Sequence, residues 1–149
     1  MKCTRNIFLL LMLMHIGFIH AAADTVSVIG VGDLMLGTSF PDSSTLSSHP
    51  EKLLEHVQDI IRSADLAVAN LEGCLMDSGG TPKDCWEKKE RCFIFRMPES
   101  YIQHIMNAGF DAVGLANNHV RDMGYQSYRR TMVICDSVGL YHAGIYSAP

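Results

Sequence analysis

Apolar positions along this chain switch repeatedly between a strand rhythm and a helix rhythm. Thr25 to Val31 (TVSVIGV) is apolar and β-branched and stops at Gly32-Asp33, which predicts a buried strand. A Ser/Pro/Asp-rich loop follows over 37–49. Ser48-x-x-Glu51, with Pro50 in the first turn, reads as a capping box. Leu53, Leu54, Val57, Ile60 and Ile61 then fall on one face, predicting an amphipathic helix laid on a sheet. Asp65 to Leu71 (DLAVANL) predicts the second strand, and Phe93 to Arg96 a short one. Between them, Gly73 to Cys92 is polar and reads as a surface insertion. Pro98 to Ala108 predicts a helix carrying Tyr101, Ile102, Ile105 and Met106 and closed by Gly109. Phe110 to Ala116 predicts a strand that runs into Asn117-Asn118-His119. A helix from Gly124 or Tyr125 to about Val138, closed by Gly139, leads to a last strand over Leu140 to Ala143.

Strands that alternate with helices predict an α/β layered domain around a largely parallel sheet. Right-handed crossovers put the carboxyl ends of such strands on one side, where open α/β sheets place their chemistry. Asp33, Glu72, His119 and His142 all lie at or near those ends.

The first 23 residues follow another pattern. Lys2 and Arg5 precede an apolar run from Ile7 to Ile19, and Ala21-Ala22-Ala23 offers a small-residue cleavage site. This predicts a secretory signal peptide, too short for a membrane span, and a chain of residues 24–149 delivered to the periplasm, cell envelope or exterior. The net charge of the whole chain is −4, and two of its basic residues lie in that leader. An acidic remainder without a basic run argues against a nucleic-acid partner.

Export also permits disulfides. Cys74, Cys85 and Cys92 cluster in the polar segment and are the candidates for a stapled loop, whereas Cys135 lies on an apolar helix face as a buried free thiol. Intervals of 10 and 6 residues within the cluster exceed the two to four of paired zinc ligands.

The strand ends carry the candidate chemistry. Asp33 is either a turn residue or a hard ligand for a divalent cation. Asn70 and Glu72 alternate with Leu71, so both point to one side while Leu71 is buried on the other. An Asn carbonyl at 118 beside His119 suits cation binding with an adjacent proton donor. Asp122, three residues on, either caps the next helix or orients the imidazole.

Val31-Gly-Asp-Leu-Met-Leu-Gly37, Ala69-Asn-Leu-Glu-Gly73, Gly109-Phe-Asp-Ala-Val-Gly-Leu-Ala-Asn-Asn-His119 and Asp122-Met-Gly124 together resemble the bacterial capsule-synthesis protein CapA family. Phe95-Arg-Met-Pro-Glu99 and Tyr141-His-Ala-Gly144 fit the same pattern. That family resembles the calcineurin-like metallophosphoesterases, an α/β/β/α sandwich with a two-metal site. The resemblance implies that this chain is the N-terminal βαβαβαβ half of such a domain, truncated at its C-terminus. It implies divalent metal held by Asp33, Asn70, Glu72 and Asn118, with His119 as the catalytic acid and Asp122 and His142 in support. Met35 stands where the wider superfamily has a histidine, which implies an altered or absent first metal site.

The resemblance further implies work on a capsule or cell-surface polymer of the poly-γ-glutamate type, in synthesis or export and within a capsule-synthesis complex. A metal-dependent hydrolase acting on a phosphoester or γ-glutamyl amide is the first expectation. A non-catalytic polymer-binding component and a truncated, inactive fragment are the alternatives.

Overall fold

A computed structural model describes residues 25–85 and 92–144. The leader and the last five residues lie outside that range. Among the described residues six strands and three α-helices follow in the order β1 (Val28–Leu34), α1 (Gln58–Ile61), β2 (Leu66–Leu71), β3 (Cys74–Leu75), β4 (Arg96–Met97), α2 (Tyr101–Ala108), β5 (Ala112–Gly114), α3 (Tyr125–Val138) and β6 (Tyr141–Ala143). Strands β1-β2-β5-β6 form one parallel sheet in that spatial order, and β3 pairs in parallel with β4 in a small second sheet. The expected α/β architecture with a parallel sheet is present. Among the described residues no helix is long and apolar enough to cross a membrane.

The two faces of the larger sheet differ. Ala67, Ala69 and Leu71 of β2 point to one side together with Val113 of β5, and they join a core with Ile61, Tyr101, Ile102, Ile105, Ile134 and Leu140. Register partners in a parallel pair share a face. Val28 is opposite Leu66, Val68 opposite Ala112, and Ala112 opposite Tyr141. These residues form the other face, which nothing covers among the described residues: Val28 is 58% exposed, Leu66 37% and Tyr141 76%.

This open face corrects the expectation of a buried first strand. β1 is at the sheet edge, and only Leu34 at its end is buried. A β-branched run marks a strand but cannot say whether a layer lies on each side of it.

The helix expected after Ser48 also differs. Pro50–Lys52 is a 3-10 turn whose N-cap is His49, without a side-chain cap, so the Ser48–Glu51 capping box does not form. The Leu53 and Val57 amides bond three residues back, and only from Gln58 does the α pattern take hold. Three residues per turn swing a 3.6-period stripe around the axis. Leu53, Val57 and Ile60 are accordingly exposed while Ile61 is buried.

By contrast, Tyr125–Val138 ends at a left-handed Gly139 and Tyr101–Ala108 at a left-handed Gly109, as expected from the sequence.

Cys74 is not a staple. It is a buried free thiol in β3, packed with Met76 and Met123. The disulfide joins Cys85 to Cys92, and Cys135 is the expected buried thiol. The segment expected as a polar insertion therefore opens with buried residues, Cys74 to Met76.

Thr131, fully buried in α3, ties β3 to that helix. Its Oγ1 accepts from the Leu75 amide at 2.9 Å and donates to the Ser127 carbonyl at 2.8 Å. The isosteric Thr131→Val leaves that amide unpaired, and urea unfolding should record a loss of about 1–3 kcal/mol.

Burial raises both free thiols above the usual range, Cys135 to about 11. Iodoacetamide at mildly alkaline pH should therefore spare Cys74 and Cys135 in the native protein and label both in denaturant, as read by peptide mass mapping. Rapid native labelling of either would contradict this packing.

Candidate functional site

The site begins with an irregularity in β1. Gly30 pairs with Val68, but the next register partner of Asn70 is Asp33, so β1 carries one residue more than β2 in this interval. Side chains alternate between faces, so one extra residue exchanges the faces of all that follow. Without it Gly32 would stand beside Asn70, and Asp33 would stand beside Leu71 and point into the core. With it, Asp33 joins Asn70 on the open face, and Leu34 joins Leu71 in the core.

Three strand ends then meet through one amide. The Asn70 Nδ2 donates to Asp33 Oδ1 at 2.7 Å and to Glu72 Oε2 at 2.6 Å. Its Oδ1 accepts from Asn117 Nδ2 at 2.9 Å, and the same nitrogen also donates to the Leu71 carbonyl at 2.8 Å. Asn117 Oδ1 in turn accepts the His119 amide at 3.0 Å. These groups border a cleft of about 770 Å³, also lined by Asn118, Arg121 and Gly144.

The His119 side chain lies beside Glu72 and is only 12% exposed. Its Nδ1 lies 2.6 Å from Asp122 Oδ2, and its Nε2 lies 3.6 Å from Glu72 Oε1. A carboxylate can only accept, so Nδ1 carries the proton of that bond and Nε2 is turned toward Glu72. The ring stacks on Phe95 with centroids 4.2 Å apart. A Cβ on Gly73, whose φ is +132°, would come within 2.9 Å of the Phe95 Cβ, so glycine is what lets the chain after Glu72 run against that ring.

Of the two roles open to Asp122, the geometry has the orienting one. The N-cap of α3 is Gly124, with no side-chain cap. Asp122 is fully buried and accepts the Phe95 amide at 2.7 Å, while the Lys83 ammonium lies 2.5 Å from its Oδ1.

Asp33, Asn70, Glu72, Asn118 and His119 are thus brought together, but not with equal freedom. The oxygen of Asn70 is engaged by Asn117, so its amide serves as a bridge between two carboxylates. Asn118 is exposed on the cleft wall. His142 is elsewhere: its Nε2 lies 3.0 Å from Asp136 Oδ1, in a separate hollow beside the end of α3. Among the described residues no three His, Cys, Asp or Glu side chains cluster as metal ligands. The donors facing the cleft are carboxylate and amide oxygens, a set suited to a hard divalent cation such as Mg²⁺, Mn²⁺ or Ca²⁺.

Residues 27–149 match the family model described as Bacterial capsule synthesis protein PGA_cap. The chain belongs to this family. An uncharacterized protein, y4sH, of Sinorhizobium fredii is 28% identical over 125 residues, covering 82% of this chain and 25% of the relative. A second from the same organism, y4uA, is 27% identical with the same coverage. The capsule biosynthesis protein CapA of Bacillus anthracis is 22% identical over 125 residues, covering 84% of this chain and 29% of its own length. The chain thus spans 25–29% of the length of these curated relatives. Its parallel-stranded α/β architecture is consistent with part of a metallophosphoesterase-like fold.

In this PGA_cap chain four further residues belong to the site. Asn117 holds two strand ends together, and its place between a strand and His119 was the available signal. Among the described residues Arg121 is the one cation lining the cleft, its guanidinium 5.4 Å from the Tyr128 ring centroid. Lys83 and Phe95 come from distant segments, and nothing in their spacing announces them.

The extra residue in β1 can be tested directly. Deleting Gly32 alone should leave a regular ladder with Asp33 still beside Asn70, whereas deleting Val31 and Gly32 together should place Asp33 beside Ala69 on the core face. An unpaired carboxylate in the core then costs about 3–5 kcal/mol, seen as a lower urea midpoint. Equal stability of the single and double deletions would show that the register does not set the face of Asp33.

Proposed function

We propose that this chain supplies the metal-holding edge of an exported capsule-synthesis domain. In this reading Asp33 and Glu72 bind a divalent cation, assisted by Asn118, and His119 handles a proton at the scissile group of a polymer substrate. The observation that carries the proposal is the single Asn70 amide shared between the Asp33 and Glu72 carboxylates, with His119 Nε2 3.6 Å from Glu72. Two carboxylates held this close repel each other, and a cation between them relieves the repulsion. Such a cation, when bound, would polarise a phosphoryl or carbonyl oxygen.

Each residue has a separate task. Asn70 keeps the carboxylates apart at a fixed spacing. Asn117 fixes Asn70 and the backbone of His119. Asp122 holds Nδ1 so that Nε2 meets the leaving atom. The substrate class proposed is a phosphoester or γ-glutamyl amide of a poly-γ-glutamate-type polymer, in keeping with the family and with the name of the Bacillus anthracis relative. The apolar run and Ala21-Ala22-Ala23 at the N-terminus support export to the cell envelope.

A second reading, cation-dependent binding of an acidic polymer without turnover, is favoured by Arg121 at the rim of the cleft.

Titration calorimetry with Mn²⁺ tests the metal site. The wild-type chain should bind, and Asp33→Ala or Glu72→Gln should weaken binding by about tenfold or more. A wild-type chain that takes up no divalent cation would remove both readings.

A further inference from the structure

We infer that Lys83 and Phe95 are positioning residues for His119, and that the Cys85–Cys92 disulfide is the clamp that keeps them in place. The inference rests on the proposed role of His119, because positioning matters only if the ring does proton work.

The geometry is a buried carboxylate surrounded by donors from three segments. Asp122 Oδ2 receives the His119 Nδ1 proton at 2.6 Å and the Phe95 amide at 2.7 Å. Its Oδ1 meets the Lys83 ammonium at 2.5 Å. Lys83 Nζ and His119 Nδ1 are 3.4 Å apart, and since an ammonium and a protonated ring nitrogen are both donors, they converge on the carboxylate rather than on each other. Asp122 thus has a fixed orientation only while all three donors are present. The imidazole bonded to it is fixed in turn, and the stacked Phe95 ring closes the other side.

The two arms are delivered by one cross-linked loop. On the incoming arm the Thr81 amide donates to the Met123 carbonyl at 3.0 Å and the Lys83 amide to the Asp122 carbonyl at 2.8 Å. Gly80, with φ +74°, permits this approach, because a Cβ there would lie 2.5 Å from the Met123 oxygen. On the outgoing arm the Cys74 amide donates to the Phe95 carbonyl at 3.1 Å. Cys85 follows Lys83 by two residues and Cys92 precedes Phe95 by three, so the disulfide joins the arms next to the residues that touch the His119–Asp122 pair. Both cysteines are half-buried, so solvent reaches them. Two electrons and two protons from a dithiol convert the bond to two thiols, the dithiol becoming a disulfide. Each arm is then held by its own hydrogen bonds and packing, without the cross-link.

A purely structural role would make Lys83 a neutraliser of Asp122 whose loss changes stability alone. The positioning role changes the ring itself. Nitrogen-15 NMR of the histidine side chains separates the two, because ring shifts report which nitrogen is protonated. The oxidised wild-type chain should give one His119 signal set with the proton on Nδ1. Reduction with dithiothreitol, or Lys83→Met, should lose that single set to a tautomer mixture or to broadening, and Lys83→Arg should restore it.

Arg130→Met, which removes the exposed pair with Glu99, should leave the ring unchanged. If Lys83→Met does not fold, the oxidised and reduced wild-type spectra decide alone. His119 signals identical in oxidised, reduced and Lys83→Met protein overturn the inference. Absent Mn²⁺ binding with the expected ring changes would sink the metal reading and leave the positioning geometry standing.

Discussion

The register between β1 and β2 is the constraint on which the site depends. A parallel pair fixes which side chains share a face, and here the ladder admits one extra residue between Gly30 and Asp33. That residue decides that Asp33 meets Asn70 while Leu34 meets Leu71. The polar cluster and the end of the core are therefore consequences of the same local event. Bulges next to working sites commonly re-aim a side chain in this way, and glycines on both sides of Val31 leave the strand free to bend there.

From that register the polar network extends by hydrogen bonds rather than by charge pairing. Asn70 donates twice to carboxylates and accepts once from Asn117, and Asn117 reaches the backbone of both neighbouring strand ends. Amides suit this position because they offer donors and acceptors on a short, stiff stem. The charged members are placed differently. Asp33 faces the cleft, Glu72 is shared with His119, and Asp122 is sealed beneath. Burial of Asp122 is tolerable because the Lys83 ammonium and two N–H groups converge on it; a buried charge without partners would be strongly unfavourable.

Much of this was legible along the chain, and the failures have physical causes. The alternation of Asn70, Leu71 and Glu72 stated their faces correctly, because a strand's period is local. Tyr125–Val138 and its closing Gly139 were likewise local. The burial of β1 was misread because edge or centre is a property of the sheet, invisible in Thr25 to Val31. The stripe at Leu53 to Ile61 was real, but hydrogen bonds to the third residue back placed it around the turn rather than along one side. Asp122 could be narrowed to two roles by its distance from His119, and only the Gly124 cap separated them. Lys83 and Phe95 reach Asp122 across 39 and 27 residues, so no short-range pattern could reveal them.

The position of the Cys85–Cys92 bond also bears on how this segment can vary among relatives. The cross-link joins the two arms at Cys85 and Cys92, so Lys83 and Phe95 are each placed by the few residues between them and that bond. Residues 81–84 and 93–95 have no freedom in length, since one added residue would carry the ammonium or the ring away from Asp122. A relative without both cysteines would therefore need some other tie between its two arms.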